Sequence, residues 1–200
     1  MGVLTEIPCD KIRTPKGWIK VNPAFDVILE IQKLYREESL TDMERMQQAL
    51  SMLVVNRWNL KLLSQQEMAA LLEEISSRYI EVKKRPQLRK DPVPILDFEE
   101  DGDYIYASFM QAYGLDLIDL QGEMPWKKFL YLFSGLPDDT KIKQVMRIRS
   151  MEVPAYNGKN SKQIQQINEL KSYYALPVRG GGGEEGLDLL FRTLEGMAKK

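Results

Sequence analysis

The chain has 200 residues, and its 28 lysines and arginines against 29 aspartates and glutamates give a formal net charge of -1. This balance excludes a global attraction to nucleic acid or to an anionic membrane surface. The absence of histidine and the single cysteine, Cys9, exclude Ser-His and Cys-His catalysis, an intramolecular disulfide and a cysteine zinc site. An apolar fraction of 44% is enough for a globular core. We therefore expect a folded protein with no enzymatic activity, no metal and no cofactor.

No targeting segment is recognisable. The first residues lack the apolar core behind a basic start that a signal peptide requires. The apolar runs are far shorter than the ~20 residues that a membrane helix needs. We expect a protein that resides in the cytoplasm and does not interact with membranes.

Residues 1–82 predict a small β-hairpin followed by three helices. The apolar residues Ile12 and Trp18 flank a Thr-Pro-Lys-Gly turn signal, which is typical of a hairpin. Apolar residues then recur at helical spacing, with Asn22 as the expected cap of the first helix and Pro23 in its first turn.

The second and third helices are predicted by two capping boxes. Thr41 and Ser64 each stand three residues before a glutamate, Glu44 and Glu67. In a capping box, the threonine or serine side chain accepts a hydrogen bond from the backbone N–H of the glutamate. The glutamate side chain accepts one from the backbone N–H of the threonine or serine.

Residues 83–96 predict an extended connector between two helical subdomains. Prolines at positions 86, 92 and 94 exclude a helix there. The first eight residues of this connector include five basic ones: Lys83, Lys84, Arg85, Arg89 and Lys90. They could contact phosphates, but stacking aromatics are absent, so we favour a solvated linker or neutralisation by the acidic run that follows.

Residues 97–177 predict a second helical subdomain with four helices. Asp101 is expected to cap the first of these helices, and Gly114 fits the left-handed position just after its end. Gly135 ends a very apolar second helix. The third and fourth helices follow from the spacing of their apolar residues, and Pro177 ends the last.

The acidic run at residues 97–103 could form a general acid/base pair or a magnesium site, but the sequence supplies no nucleophile, phosphate loop or proton partner for either. Two further interpretations apply to it. Its spacing partly matches a calcium-binding loop, but the twelfth position, which requires a glutamate, is Ser108. Alternatively, the carboxylates gather at a helix N-terminus because the helix dipole and the free N–H groups favour negative charge there. We favour the second interpretation and predict no metal site.

Aromatic residues crowd the second helix of this subdomain, and they cover nearly every face of it. They are Trp126, Phe129, Tyr131 and Phe133. We expect most of them in the core. A helix that is apolar all round needs cover on every side, so Trp126, Phe129 and Phe133 are also candidates for partner binding.

Residues 178–200 predict an amphipathic helix on a flexible joint. Four glycines at positions 180–183 form the joint, and apolar residues follow at helical spacing. The stripe could dock on its own bundle or in a partner's groove. Its partner-binding candidates are Leu187, Leu190, Phe191 and Leu194.

Several motifs resemble a family of bacteriophage tail-region proteins known as "gene product fifteen", from long-tailed phages and prophages of Gram-positive bacteria. The resemblance covers nearly the whole chain up to Pro177. Its most specific motif consists of Tyr104, Ile105, Tyr106, Phe109, Tyr113, Gly114, Leu115, Asp116 and Leu117. Trp126, Lys128 and Phe129 are similar to the family's Trp-x-Lys-Phe helix, whereas Pro125 and Lys127 depart from its pattern.

The resemblance implies a role in tail assembly. It implies a cytoplasmic chaperone that binds the tape-measure protein, keeps it from aggregating and helps recruit major tail protein subunits. It assigns no catalytic residue.

Two alternatives to the chaperone remain open. One is a structural connector or minor tail protein that stays in the virion. The other is a nucleic-acid-binding module that uses the basic connector. Self-association is compatible with each of these functions. Whichever of these functions applies, we expect a mainly α-helical protein with an N-terminal β-hairpin.

Overall fold

The structure, a computed structural model, describes residues 10–37, 39–81 and 94–177. Cys9, most of the basic connector and the whole predicted C-terminal helix lie outside these ranges. Within them the protein is mainly α-helical with a two-stranded N-terminal hairpin, which confirms the predicted fold class. None of the described helices combines the length and apolarity that crossing a bilayer would require.

The hairpin consists of β1 (Lys11–Thr14) and β2 (Gly17–Lys20), paired antiparallel with Ile12 opposite Ile19. Both isoleucines are fully buried, whereas their neighbours along each strand face outward. Gly17 closes the turn with a φ of 124°, a conformation that favours glycine.

Three α-helices follow in the first part of the chain: α1 (Phe25–Arg36), α2 (Asp42–Leu53) and α3 (Gln65–Ile75). A 3₁₀-helix (Arg57–Leu62) precedes α3, and one π-helical turn (Ser76–Ile80) follows it. The two predicted capping boxes are confirmed at the starts of α2 and α3.

The predicted cap of α1 is wrong. The N-cap position belongs to Ala24, and no side chain caps the helix. Asn22 instead makes two tertiary hydrogen bonds: its backbone N–H donates to Leu53 O at 2.8 Å, and its Nδ2 donates to Gly122 O at 2.9 Å. Tertiary partners therefore outcompete the local cap.

The second part of the chain adds α4 (Gly102–Tyr113), α5 (Trp126–Ser134), α6 (Lys141–Ser150) and α7 (Ser161–Tyr173). The predicted left-handed residue after α4 is confirmed, since Gly114 has a φ of 63°. The α5 helix is the predicted aromatic helix.

The chain divides into two compact units. Among the described residues, unit 1 contains residues 10–81 and Gln121–Phe129, and unit 2 contains residues 94–120 and 130–177. The boundary in α5 thus falls between Phe129 and Leu130. No local sequence signal indicates that the segment Gln121–Phe129 belongs with the hairpin and the first three helices.

Segment Gln121–Phe129 is fixed in unit 1 by backbone pairing. Phe25 N donates to Met124 O at 2.9 Å, and Trp126 N donates to Pro23 O at 2.8 Å. The ring of Phe129 stacks on that of Phe25, with their centroids 5.0 Å apart. This segment therefore completes the core against which α1 packs.

Candidate functional site

The three aromatic candidates on α5 are buried. Trp126 and Phe129 stack on each other in unit 1 with ring centroids 5.6 Å apart, and both are essentially inaccessible. Phe133 packs at a tilt against Phe98 in unit 2, with centroids 5.6 Å apart. Tyr131, by contrast, is exposed. This burial favours the core alternative for Trp126, Phe129 and Phe133, so a binding surface has to be formed by other residues.

The other four candidates lie outside the described residues. They are Leu187, Leu190, Phe191 and Leu194. Their part in binding a partner stays a prediction.

The acidic run contributes to an ion pair in unit 2. Asp101 is fully buried at the N-cap position of α4, but its side chain caps no helix N–H group, which corrects the predicted cap. Its two carboxylate oxygens accept hydrogen bonds from Arg149 Nη1 at 2.6 Å and Arg149 Nη2 at 2.8 Å. No group of acidic or cysteine side chains in the described ranges has the arrangement of a metal site.

Asp97, at the start of the same run, organises the turn before α4. Its Oδ1 accepts from Glu99 N at 2.9 Å and from Glu100 N at 3.3 Å. Its own N–H donates to Asp101 Oδ2 at 3.0 Å. The carboxylates of Asp97 and Asp101 are thus used for internal hydrogen bonds.

Arg149 also positions the end of α7. Its Nε donates to Tyr174 O at 2.6 Å, and its Nη1 donates to Ile95 O at 3.0 Å. One guanidinium group therefore joins the segment before α4, the start of α4 and the residue that follows α7. The sequence places Arg149 only on a helix, and its side-chain partners are too distant in sequence to be inferred from spacing.

Two lysines add further bonds between α6 and α7. Lys171 Nζ donates to Arg149 O at 2.8 Å and to Met151 O at 2.6 Å, at the C-terminal end of α6 where the dipole favours a cation. Lys141 Nζ donates to the Tyr174 hydroxyl at 2.7 Å. This hydrogen bond raises the pKa of Lys141.

Polar side chains of the family-type motif, which runs from α4 into the turn after it, likewise form internal hydrogen bonds. The hydroxyl of Tyr106 donates to Asp116 Oδ2 at 3.0 Å, a bond that raises the pKa of Tyr106. The hydroxyl of Tyr113 donates to Leu132 O at 2.9 Å. These residues therefore shape the turn between α4 and α5.

The α7 helix is held firmly and yet remains largely open to solvent. None of its residues is buried. Ile164, Ile167 and Tyr174 are half-buried on the side that carries Lys171, whereas Leu170 and Tyr173 are exposed. Tyr173 has 78% of its surface accessible. A helix presented in this way offers a preformed surface for another protein.

A groove runs along α7 next to its half-buried side. It has a volume of about 610 Å³, and Tyr156 from the preceding loop lines it together with α7 residues that include Ile164. Polar residues complete the lining: Ser161, Gln165, Asn168, Glu169 and Ser172. The groove is shallow and open to solvent, and the atoms that line it are mainly apolar although most of the lining residues are polar. Leu170 and Tyr173 lie outside the lining of this groove, and Leu170 is about 180° around the helix from Ser161. We call the exposed sides of α7 that carry the groove and this pair the α7 surface.

Comparison with known proteins identifies a family. The model of the family described as "Bacteriophage Gp15 protein" matches residues 15–176. No curated protein and no solved structure matches the chain.

Proposed function

Because the chain belongs to the bacteriophage Gp15 protein family, we propose that it acts in phage tail assembly as a non-enzymatic chaperone of the tape-measure protein. In this role it binds the long helical tape-measure chain in the host cytoplasm and helps recruit major tail protein subunits. The chain's lack of histidine fits a role without acid-base chemistry.

The observation that carries the proposal is the exposed α7 helix. A helix with no buried residue would be marginal by itself, because most helices in proteins are stabilised by packing. Here Lys171, Lys141 and Arg149 fix its position instead. The exposed Leu170 and Tyr173 and the groove beside Tyr156 then remain available to a helical partner.

An amphipathic partner helix suits this surface. Such a helix presents apolar side chains at intervals of three and four residues, which match the spacing of positions along α7. A tape-measure chain would offer many similar stripes. The partner would therefore contact the exposed sides of α7 in unit 2.

The test is co-expression with fragments of the tape-measure protein from the same phage, followed by purification of the complex. We expect the full-length chain to keep a fragment soluble and to co-purify with it. The double variant Leu170→Ser and Tyr173→Ser should lose the complex, and so should Tyr156→Ser. Gln163→Ser, at an exposed polar position of the same helix, should retain it.

Two further samples separate the alternatives. A chain that ends at residue 177 tests whether the stripe Leu187, Leu190, Phe191 and Leu194 is required. Mass spectrometry of purified virions tests the structural role. No complex with any fragment, together with the protein in finished virions, would replace the chaperone with a connector. A complex unaffected by the α7 variants would move the contact away from the α7 surface.

A further inference from the structure

A second exposed surface lies in unit 1, on the outer face of the hairpin. Ile12 and Ile19 face the core, so Trp18 projects from the opposite face of β2. Residues after α2 extend this small sheet: Val21 forms an antiparallel bridge with Val54, and Val55 N donates to Lys20 O at 2.9 Å. Val54 is buried, and Val55 is therefore on the outer face with Trp18.

Two asparagines attach the following 3₁₀-helix to the same strand. Asn56 Nδ2 and Asn59 Nδ2 each donate to Trp18 O at 2.9 Å. Asn56 Oδ1 also accepts from Lys20 N at 2.7 Å. These bonds hold the backbone that carries Trp58 and Leu62 beside the backbone that carries Trp18.

Large apolar side chains on these adjoining backbone segments are exposed to solvent. Trp58 is 79% exposed and Trp18 is 58% exposed. Val55 and Leu62 are also more than half exposed. We call these four residues the tryptophan surface. Exposed tryptophans on a backbone fixed by hydrogen bonds are typical of binding hot spots, since little conformational freedom remains to be lost on binding.

The charge around the tryptophan surface is positive. Arg13 lies opposite Trp18 in the hairpin register, and Arg57 precedes Trp58. Neither arginine forms an ion pair with any residue in the described ranges. The ammonium group of Lys61 lies 4.8 Å from the centre of a Trp58 ring. An acidic group could pair with these cations while apolar atoms cover the indoles.

We propose that the tryptophan surface binds an amphipathic protein helix whose apolar stripe is flanked by acidic residues. The apolar stripe would cover Trp18, Trp58 and their aliphatic neighbours, and the carboxylates would meet Arg13 and Arg57. This site is separate from the α7 surface and does not depend on the proposed function.

The aliphatic members favour a protein over a single-stranded nucleic acid. Bases bind by stacking on aromatic rings and by phosphate contacts. Val55 and Leu62 offer no ring for stacking, whereas they complement the leucine side chains of an amphipathic helix.

The test measures binding of the full-length protein to a labelled synthetic helical peptide by fluorescence anisotropy. The peptide carries leucines at positions i, i+3, i+4 and i+7 and glutamates on both flanks. Trp58→Ala and Trp18→Ala should each weaken binding by about tenfold or more, the effect of losing a hot-spot residue. Tyr131→Ala, which removes an exposed aromatic side chain from the part of α5 in unit 2, should leave binding unchanged. Circular dichroism confirms that each variant is folded.

A second part of the experiment tests the role of charge. Arg13→Gln with Arg57→Gln should weaken binding of the acidic peptide and reduce its sensitivity to salt. A peptide with lysines in place of the glutamates should bind more weakly than the acidic one. Equal binding of both peptides, or tryptophan variants that bind as well as the wild type, would overturn the proposal.

Three other occupants give distinct results, and each would overturn the proposal. An oligo-dT strand that binds more tightly than the peptide, and requires Trp58, would identify a nucleic-acid site. Much tighter peptide binding by a chain that ends at residue 177 would show that the protein's own C-terminal segment occupies the surface. A dimer that Trp58→Ala dissociates would identify a second copy.

Discussion

Arg149 and Asp101 are 48 positions apart in the sequence and form a two-point ion pair, with N–O distances of 2.6 and 2.8 Å, that is almost completely enclosed in unit 2. Two parallel hydrogen bonds between a guanidinium group and a carboxylate fix direction as well as distance. The pair therefore determines how α4 meets the end of α6.

Removing one partner of this pair should be far more harmful than removing an exposed charge. Arg149→Met leaves the Asp101 carboxylate buried without its cation, and we expect the free energy of unfolding to fall by about 3–5 kcal/mol. Arg147→Met, at an exposed position of the same helix, should change it by less than about 0.5 kcal/mol. Urea denaturation of both variants measures the difference. Equal stabilities would show that the pair does not hold unit 2 together.

The two glycines that bracket α4 should respond in opposite directions to alanine. Gly114 has a positive φ, so Gly114→Ala should destabilise the protein by about 1 kcal/mol. Gly102, in the first turn, has no positive φ, and a methyl group added there would meet open space. Gly102→Ala should therefore stabilise the protein by about 0.4–1 kcal/mol. Thermal unfolding of the two variants side by side gives the sign of each change.

Tyr35 should make stability depend on pH in alkaline solution. Burial raises its pKa from 10.0 to about 12, so folding favours the protonated hydroxyl. This contribution is complete below pH 10 and is lost as the pH rises from 10 towards 12. In that window Tyr35→Phe should lose less stability than the wild type.

The Tyr35 variant has a matched control. Tyr173 is exposed, and Tyr173→Phe should follow the wild-type curve. The hydroxyl of Tyr35 has no hydrogen-bond partner within the described ranges, so its removal should not weaken the protein at neutral pH. Denaturant titrations at a series of pH values test both expectations. Parallel curves for Tyr35→Phe and the wild type would contradict the first.

Asn56 should protect the backbone of β2 from solvent. Asn56→Ala removes the acceptor of the Lys20 amide and one of the donors to Trp18 O, and should cost about 1–2 kcal/mol. Asn56→Asp keeps an acceptor for the Lys20 amide but sets a carboxylate oxygen against Trp18 O, so it should destabilise the protein and yet keep the Lys20 amide hydrogen-bonded. Hydrogen exchange at the Lys20 amide reports the loss directly. Unchanged protection in the alanine variant would mean that the strand is ordered without this side chain.

Local signals predicted much of the fold. The boxes at Thr41 and Ser64, the turn before Gly17 and the left-handed Gly114 each depend on residues within a few positions of one another. Such interactions can be inferred directly from spacing. The π-helical turn and the 3₁₀-helix carry no comparable signature.

The interactions that position the surfaces could not be predicted in this way. Arg149 bonds to groups before α4 and after α7, and Asn56 bonds to a strand 36 and 38 positions earlier. Neither residue type specifies such partners. The exposure of Trp18 and Trp58 could not be predicted either, because a tryptophan in a sequence normally indicates a buried position.

The assignment of Gln121–Phe129 to unit 1 has a consequence for how the protein is made. Synthesis proceeds from the N-terminus at about 5–20 residues per second, and domains generally fold as they emerge. Here the hairpin and the first three helices leave the ribosome before Met124, Trp126 and Phe129, which complete their core. Phe25 must therefore wait for its stacking partner, and a nascent chain cut short before residue 121 would present that apolar face to the quality-control machinery of the cell.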